Sequence, residues 1–192
     1  MGSVLPKIDD KIRAWISRQH VFFVSTAPLS GAGHINCSPK GGDSLRVVDD
    51  HTLIYLDNVG SGAETIAHIR ENSRILIMMC AFQGPPKIYR FHGRGEVVLS
   101  TNSDFASLAA MFEGDLMGVR SIIRVHVDRV SDSCGYGVPL MDYREDRKAM
   151  RKWTEQKDQR EIKAYVGKKN AVSIDGLAAL TADEAKTVSP VR

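Results

Sequence analysis

The sequence predicts a mainly β fold, a small antiparallel barrel with helices packed outside it. Three observations carry this reading. Six or seven strand-like segments are present, many adjacent in the chain, unlike the regular strand–helix alternation of a doubly wound sheet. Ser121–Val130 alternates cleanly, with Ile123, Val125 and Val127 on one face and Arg124, His126 and Asp128 on the other. A strand at Thr52–Leu56 runs through a glycine-rich turn, Asn58–Gly62, into a helix at Ala63–Asn72.

The elements follow in order. In Asp9–Arg18 the residues Ile8, Ile12, Trp15 and Ile16 recur at helical spacing, and Asp9 and Asp10 suit the positive end of a helix dipole. Val21–Ala27 is β-branched and aromatic, and Pro28 closes it. Ile35–Ser38 is its hairpin partner; Pro39 removes a ladder donor and marks an edge or a strand end. Arg46–Val48 and Thr52–Leu56 flank a turn. The apolar run Arg74–Cys80 reads as a strand buried on both faces. Lys87–Val98 alternates, and Gly93 and Gly95 suggest a bulge or a close backbone approach. Asn102 or Ser103 caps a helix running to Phe112. Beyond an irregular loop at Cys134–Pro139, Tyr143–Lys157 is charged and helical, Ile162–Val166 is a short helix or turn, and Asn170–Leu177 is extended.

Composition excludes several classes of function. The chain has 192 residues, 43% hydrophobic and 26% charged, so it can bury a core. A net charge of +3 without a dense basic run gives no footprint for nucleic acid. Three cysteines, Cys37, Cys80 and Cys134, are far apart and form no CxxC pair, which argues against a disulfide framework and a zinc site. His34 and Cys37 lack further ligands at metal-binding spacing, so no metal is expected. Met1–Lys7 has no apolar segment of the signal-peptide kind, and no window approaches the roughly 20 apolar residues of a membrane span. The expected location is cytoplasmic.

The stretch with chemical content is His34–Asn72. A strand, a glycine turn and a helix start bring free backbone N–H groups together, and Lys40 on the neighbouring strand could complete an anion pocket. An ordinary capped turn accounts for the same residues. Ser61 and Glu64 match a capping box. The serine hydroxyl would suit a phosphate, whereas a carboxylate folded onto the same N–H groups would repel it.

INCSPKGGD, TLIYLDNVGSG, ETIAHIRENSRILIMM and IYRFHGRGEVV, in that order over Val21 to Val130, resemble the pyridoxamine-5′-phosphate oxidase-like family of FMN-binding split barrels. The resemblance implies an antiparallel split β-barrel and an FMN cofactor. It sets Asn36, Cys37 and Ser38 beside the flavin ring system, Lys40 at the phosphate, and Asp57, Asn58 and Ser61 along the site. It also implies a homodimer with the cofactor site at the interface, Lys87–Val98 being a candidate wall from the second chain. The chain then divides into a flavin-binding split-barrel domain (1–141), a C-terminal helical extension packed on the barrel or the partner chain (142–180) and a disordered tail (181–192).

The family pattern is not complete. The basic pair that often follows the turn serine is replaced by Gly62 and Ala63, and an arginine usual at the start of the flavin-binding strand is replaced by Ile35. Phosphate binding must then rest on Lys40, backbone N–H groups and an arginine such as Arg90 or Arg94. No arginine-rich motif of the pyridoxal-phosphate-forming enzymes occurs in Asn170–Arg192. The function expected is an FMN-dependent oxidoreductase acting on an unidentified small molecule. The alternatives are a non-enzymatic flavin- or haem-binding split barrel, with His34, His92 and His126 as haem candidates, and a deazaflavin-dependent reductase.

Overall fold

The computed structural model describes residues 2–113 and 116–188. Among them, eight strands form one antiparallel sheet: β1 (Val4–Leu5), β2 (Phe22–Thr26), β3 (Asn36–Lys40), β4 (Leu45–Asp49), β5 (Thr52–Asn58), β6 (Arg74–Cys80), β7 (Ile88–Val98) and β8 (Val119–Ser133). The order is β3-β2-β6-β7-β8-β5-β4, with β1 paired to β8 off this path. The two ends of the sheet, β3 and β4, are consecutive in the chain. The left-handed turn between them, with Gly42 at φ 69° and Asp43 at φ 54°, brings the ends together. Lys40 on β3 lies 3.7 Å from Asp57 on β5, and Leu56 N–H donates to the Ser44 carbonyl at 2.9 Å. The sheet is therefore curled into a split barrel.

Inside the curl lies a core that includes Val24, Leu53, Tyr55, Ile77, Phe91, Ile123 and Val125, all buried. Helix α1 (Asp10–Ile16) contributes Ile12 and Ile16, and Asp9 caps it through the Ile12 N–H. Helix α2 (Glu64–Asn72) contributes Ile66, Ala67 and Ile69. The long strands β7 and β8 pair through a bulge at His92/Gly93. A Cβ on Gly93 would collide with the His126 carbonyl oxygen, so this glycine is required by close approach of two backbones.

Several expectations are corrected. β6 buries Ile75, Ile77 and Met79, but Leu76 and Met78 on the other face are only half-buried, so the strand is not buried on both faces. Helix α3 is short (Phe105–Ala109) and has no side-chain cap; Asn102 instead accepts from the Leu99 N–H. Helix α4 covers Ala149–Glu155 only, while α5 (Gln159–Lys169) is longer than expected, its start closed by an Asp158/Glu161 capping box. Asn170–Leu177 is a tight turn, with a single bridge between Val172 and Ala178. Thr181–Val188, read from sequence as disordered tail, is packed: a 3-10 helix spans Glu184–Thr187, and Ala185 and Val188 join the same core as Ile162 and Val166 of α5. The remainder of that tail reading, 189–192, lies outside the described residues.

Candidate functional site

Strand alternation decides what β3 offers. Asn36, Ser38 and Lys40 are half-buried on one face, while Cys37 and Pro39 are exposed on the other. The first three, with Asn58, Thr65 and Arg120, line a cavity of about 420 Å³ between β3, the β5–α2 turn and the start of β8. Asn36 is held firmly: its Nδ2 donates to Thr65 Oγ1 at 3.0 Å and to Thr26 Oγ1 at 3.2 Å, and its Oδ1 accepts from Ser38 Oγ at 3.0 Å. Thr26 Oγ1 in turn lies 2.9 Å from Nδ1 of the buried His68.

The charged floor of the cavity comes from a bulge. The β5–β8 register shifts between Asp57 and Asn58, leaving Arg120 as the extra residue of β8 between the partners Val119 and Ser121. A bulge re-aims a side chain, and this arginine points at Asp57. Its Nε donates to Asp57 Oδ2 at 2.7 Å and its Nη1 to the Gly62 carbonyl at 2.7 Å; Ser121 Oγ donates to Asp57 Oδ2 at 3.0 Å. Burial pushes the Asp57 carboxyl up, but the charges of Arg120 and Lys40 more than offset it and hold it below its usual value. Burial also drives the Tyr55 hydroxyl well above its usual pKa, with Asp57 adding to the effect. Lys40 sits above this pair, 5.6 Å from the Tyr55 ring centroid, and its ammonium makes no hydrogen bond among the described residues.

The cavity also carries a carboxylate. Glu64, the first residue of α2, lines it. The expected capping box does not form: the N-cap is Ala63, without a side-chain cap, and Glu64 Oε1 accepts from the Ile174 N–H at 3.2 Å. The C-terminal segment therefore closes over the turn. Asn170, fully buried, donates from Nδ2 to the Gly60 carbonyl at 2.9 Å, and its Oδ1 lacks a partner among the described residues.

Of the residues singled out in the sequence, the structure gathers Asn36, Ser38, Lys40 and Asn58 around one cavity. Asp57 lies fully buried beneath it, Cys37 faces the opposite side of β3, and Ser61 is exposed and does not line it. Arg90 and Arg94 are not at the cavity; they donate to Ser133 Oγ at 3.0 Å and Ser73 Oγ at 3.2 Å. The arginine that is present, Arg120, was missed. Its signal was indirect: a carboxylate in an apolar strand, Asp57, needs a buried cation. His34 pairs with Asp175 at 2.6 Å and His126 lies 3.7 Å from Glu96. Among the described residues no group of three or more His, Cys, Asp or Glu could hold a metal, and no helix is long and apolar enough to cross a membrane.

A split antiparallel barrel with a polar, cation-bearing cavity at the strand-to-helix turn defines the class. The sequence profile described as pyridoxamine 5′-phosphate oxidase matches residues 8–134, and the chain belongs to that family. It is 37% identical over 189 residues to the pyridoxamine 5′-phosphate oxidase family protein ustO of Aspergillus flavus, covering 90% of this chain and 76% of that one. Among solved structures it is similar to HupZ of Group A Streptococcus, with TM-score 0.50 and 27% identity over 64% of this chain and 91% of that one. A single-substitution form of HupZ superposes with TM-score 0.52 and 26% identity over 66% and 99% of the two chains. The family generally binds flavin, and its members are typically dimeric.

Proposed function

We propose that this chain is an FMN-dependent oxidoreductase of its family, acting on a small molecule as a cytoplasmic homodimer whose cofactor sites lie at the interface. The observation that carries the reading is the Lys40 ammonium, which makes no hydrogen bond among the described residues and lies 3.7 Å from Asp57 of the buried Asp57–Arg120 pair at a cavity wall. The donor set suits the phosphate end of FMN: Lys40 for the charge, and the backbone of the Gly60–Gly62 turn for close approach. Asn36 and Ser38 would run along the flavin from there. The cofactor would supply hydride and electron transfer; the protein would bind and orient it.

The outer face of β3, β2, β6 and β7, half-buried or exposed among the described residues, supports the dimer. Register aligns Cys37, Ser25, Leu76 and His92 across it, and Pro39, Phe23, Met78 and Arg90 in the next row. One observation favours a second reading, a binder without turnover: Glu64 offsets part of the positive charge in the cavity. The test is to purify the protein, record its flavin absorbance, titrate the apoprotein with FMN, and add NAD(P)H. Flavin bound and reduced supports the oxidoreductase; flavin bound but inert supports the binder; no response to FMN overturns both. Sedimentation that shows a monomer would remove the shared site.

A further inference from the structure

We propose that a second groove, at the far end of α1, is a small-molecule site for a flat aromatic anion. This inference does not rest on the flavin reading, but Phe23, Lys87 and Tyr89 of its lining adjoin the face proposed above for the dimer. The groove lies between α1, the Phe82–Lys87 loop and the Met141–Tyr143 segment, and its volume of about 770 Å³ exceeds that of the cavity described above. Among the described residues the two share no lining residue.

Its walls are aromatic. Trp15 and Tyr89 meet edge to face with ring centroids 4.9 Å apart, and Phe23 and Phe82 complete the apolar lining. At the mouth, the His20 and Tyr143 rings stack 3.6 Å apart and 8° from parallel, which ties the Met141–Tyr143 segment to the end of α1. The Met141 N–H also donates to the Phe82 carbonyl at 2.9 Å, joining that segment to the loop. Pro85 and Pro86 restrict the loop itself. The groove is thus braced on three sides before any ligand arrives, and its rings offer faces and edges to another ring.

Charge selects the ligand further. Lys11 and Arg18, both exposed, line the groove, and their side chains make no hydrogen bond or ion pair among the described residues. Lys87 is committed to Asp132 at 2.8 Å. The one carboxylate on the lining, Asp142, accepts from Gln83 Nε2 at 3.3 Å. Two unpaired cations against one carboxylate leave the aromatic groove positive, which fits a planar ring bearing a carboxylate or a similar anionic group.

Calorimetric titration of the whole protein with 2-naphthoate tests this. The expected result is one saturable site, with uncharged 2-naphthylmethanol and the Lys11→Gln/Arg18→Gln double variant each weaker by about tenfold or more. Tyr143→Ala is expected to weaken binding, and Lys40→Ala to leave it unchanged. The proposal is overturned by an absence of saturable binding, by equal affinity for the alcohol, by indifference to the double substitution, or by loss of binding in Lys40→Ala, which would assign the naphthoate to the other cavity.

Discussion

Asp57 and Arg120 form an ion pair that water barely reaches: Nε to Oδ2 is 2.7 Å, and the side chains are 0% and 6% exposed. Neither charge is tolerable there alone. Replacing Asp57 with Asn leaves a guanidinium buried without its counter-ion, and breaking a buried pair in this way costs about 3–5 kcal/mol. The pair also carries a pH signature. Burial raises the Asp57 pKa and the two cations lower it further than burial raises it, so the folded value lies below the usual 3.8. The stabilisation is therefore full above the unfolded-state value and is lost as pH falls through the folded one. Urea unfolding from neutral pH into acid should show this component in the wild type and lack it in Asp57→Asn.

A second acid-sensitive contact holds the C-terminal segment. Glu184 receives Arg70 Nη2 at 2.7 Å, Arg70 Nη1 at 2.9 Å and the Thr181 N–H at 2.8 Å. The Arg70 hydrogen bonds, more than offsetting burial, pull its carboxyl from 4.5 to about 2. The contact should be intact above pH 4.5 and fail as pH falls toward 2. Glu184→Gln should loosen Thr181–Thr187 at neutral pH, at a cost of about 1–3 kcal/mol. Hydrogen exchange at those amides, compared with the amides of β8, measures the effect; equal exchange in variant and wild type would refute it.

His68 acts in a higher pH range. It is fully buried, with Nε2 unpartnered among the described residues, and burial lowers its pKa below 6.5. Below 6.5 the unfolded chain binds a proton that the native chain refuses, so this group's contribution is complete above 6.5 and declines as pH drops toward the folded value. His68→Asn should flatten the fall in stability between about pH 7 and 5. Parallel slopes in the two proteins over that range would refute this account.

The barrel was legible wherever side-chain period alone decides structure. Ile123, Val125 and Val127 on one face of β8, Pro39 on an edge strand and Gly93 at a bulge all follow from local chemistry. The same alternation sets Cys37 opposite Asn36 and Ser38, although the family resemblance grouped all three. Arg120 was not legible, because a bulge on a distant strand aims it. Neither was the partner of Glu64, since Ile174 is 110 residues away. The packing of Ala185 and Val188 escaped notice because isolated apolar residues in a polar stretch have no period.

Lys40 and Glu64 line one cavity with opposite charge, so they should act in opposite directions on a phosphate and not at all on a ligand that lacks one. FMN and riboflavin differ by that group alone. Lys40→Ala should weaken FMN by about 1.5–3 kcal/mol, the worth of a charge-assisted hydrogen bond. Glu64→Gln removes a repelling charge and should tighten FMN by about two- to fivefold, the scale of a partly screened charge pair. It also weakens the acceptor for the Ile174 N–H, so some loosening of that turn should accompany the gain. Riboflavin affinity should be the same in both variants and the wild type. Fluorescence titration of each apoprotein with both ligands gives the comparison. A shift in riboflavin affinity would mean that the substitutions reshape the cavity, and no shift in FMN would mean that the phosphate lies elsewhere.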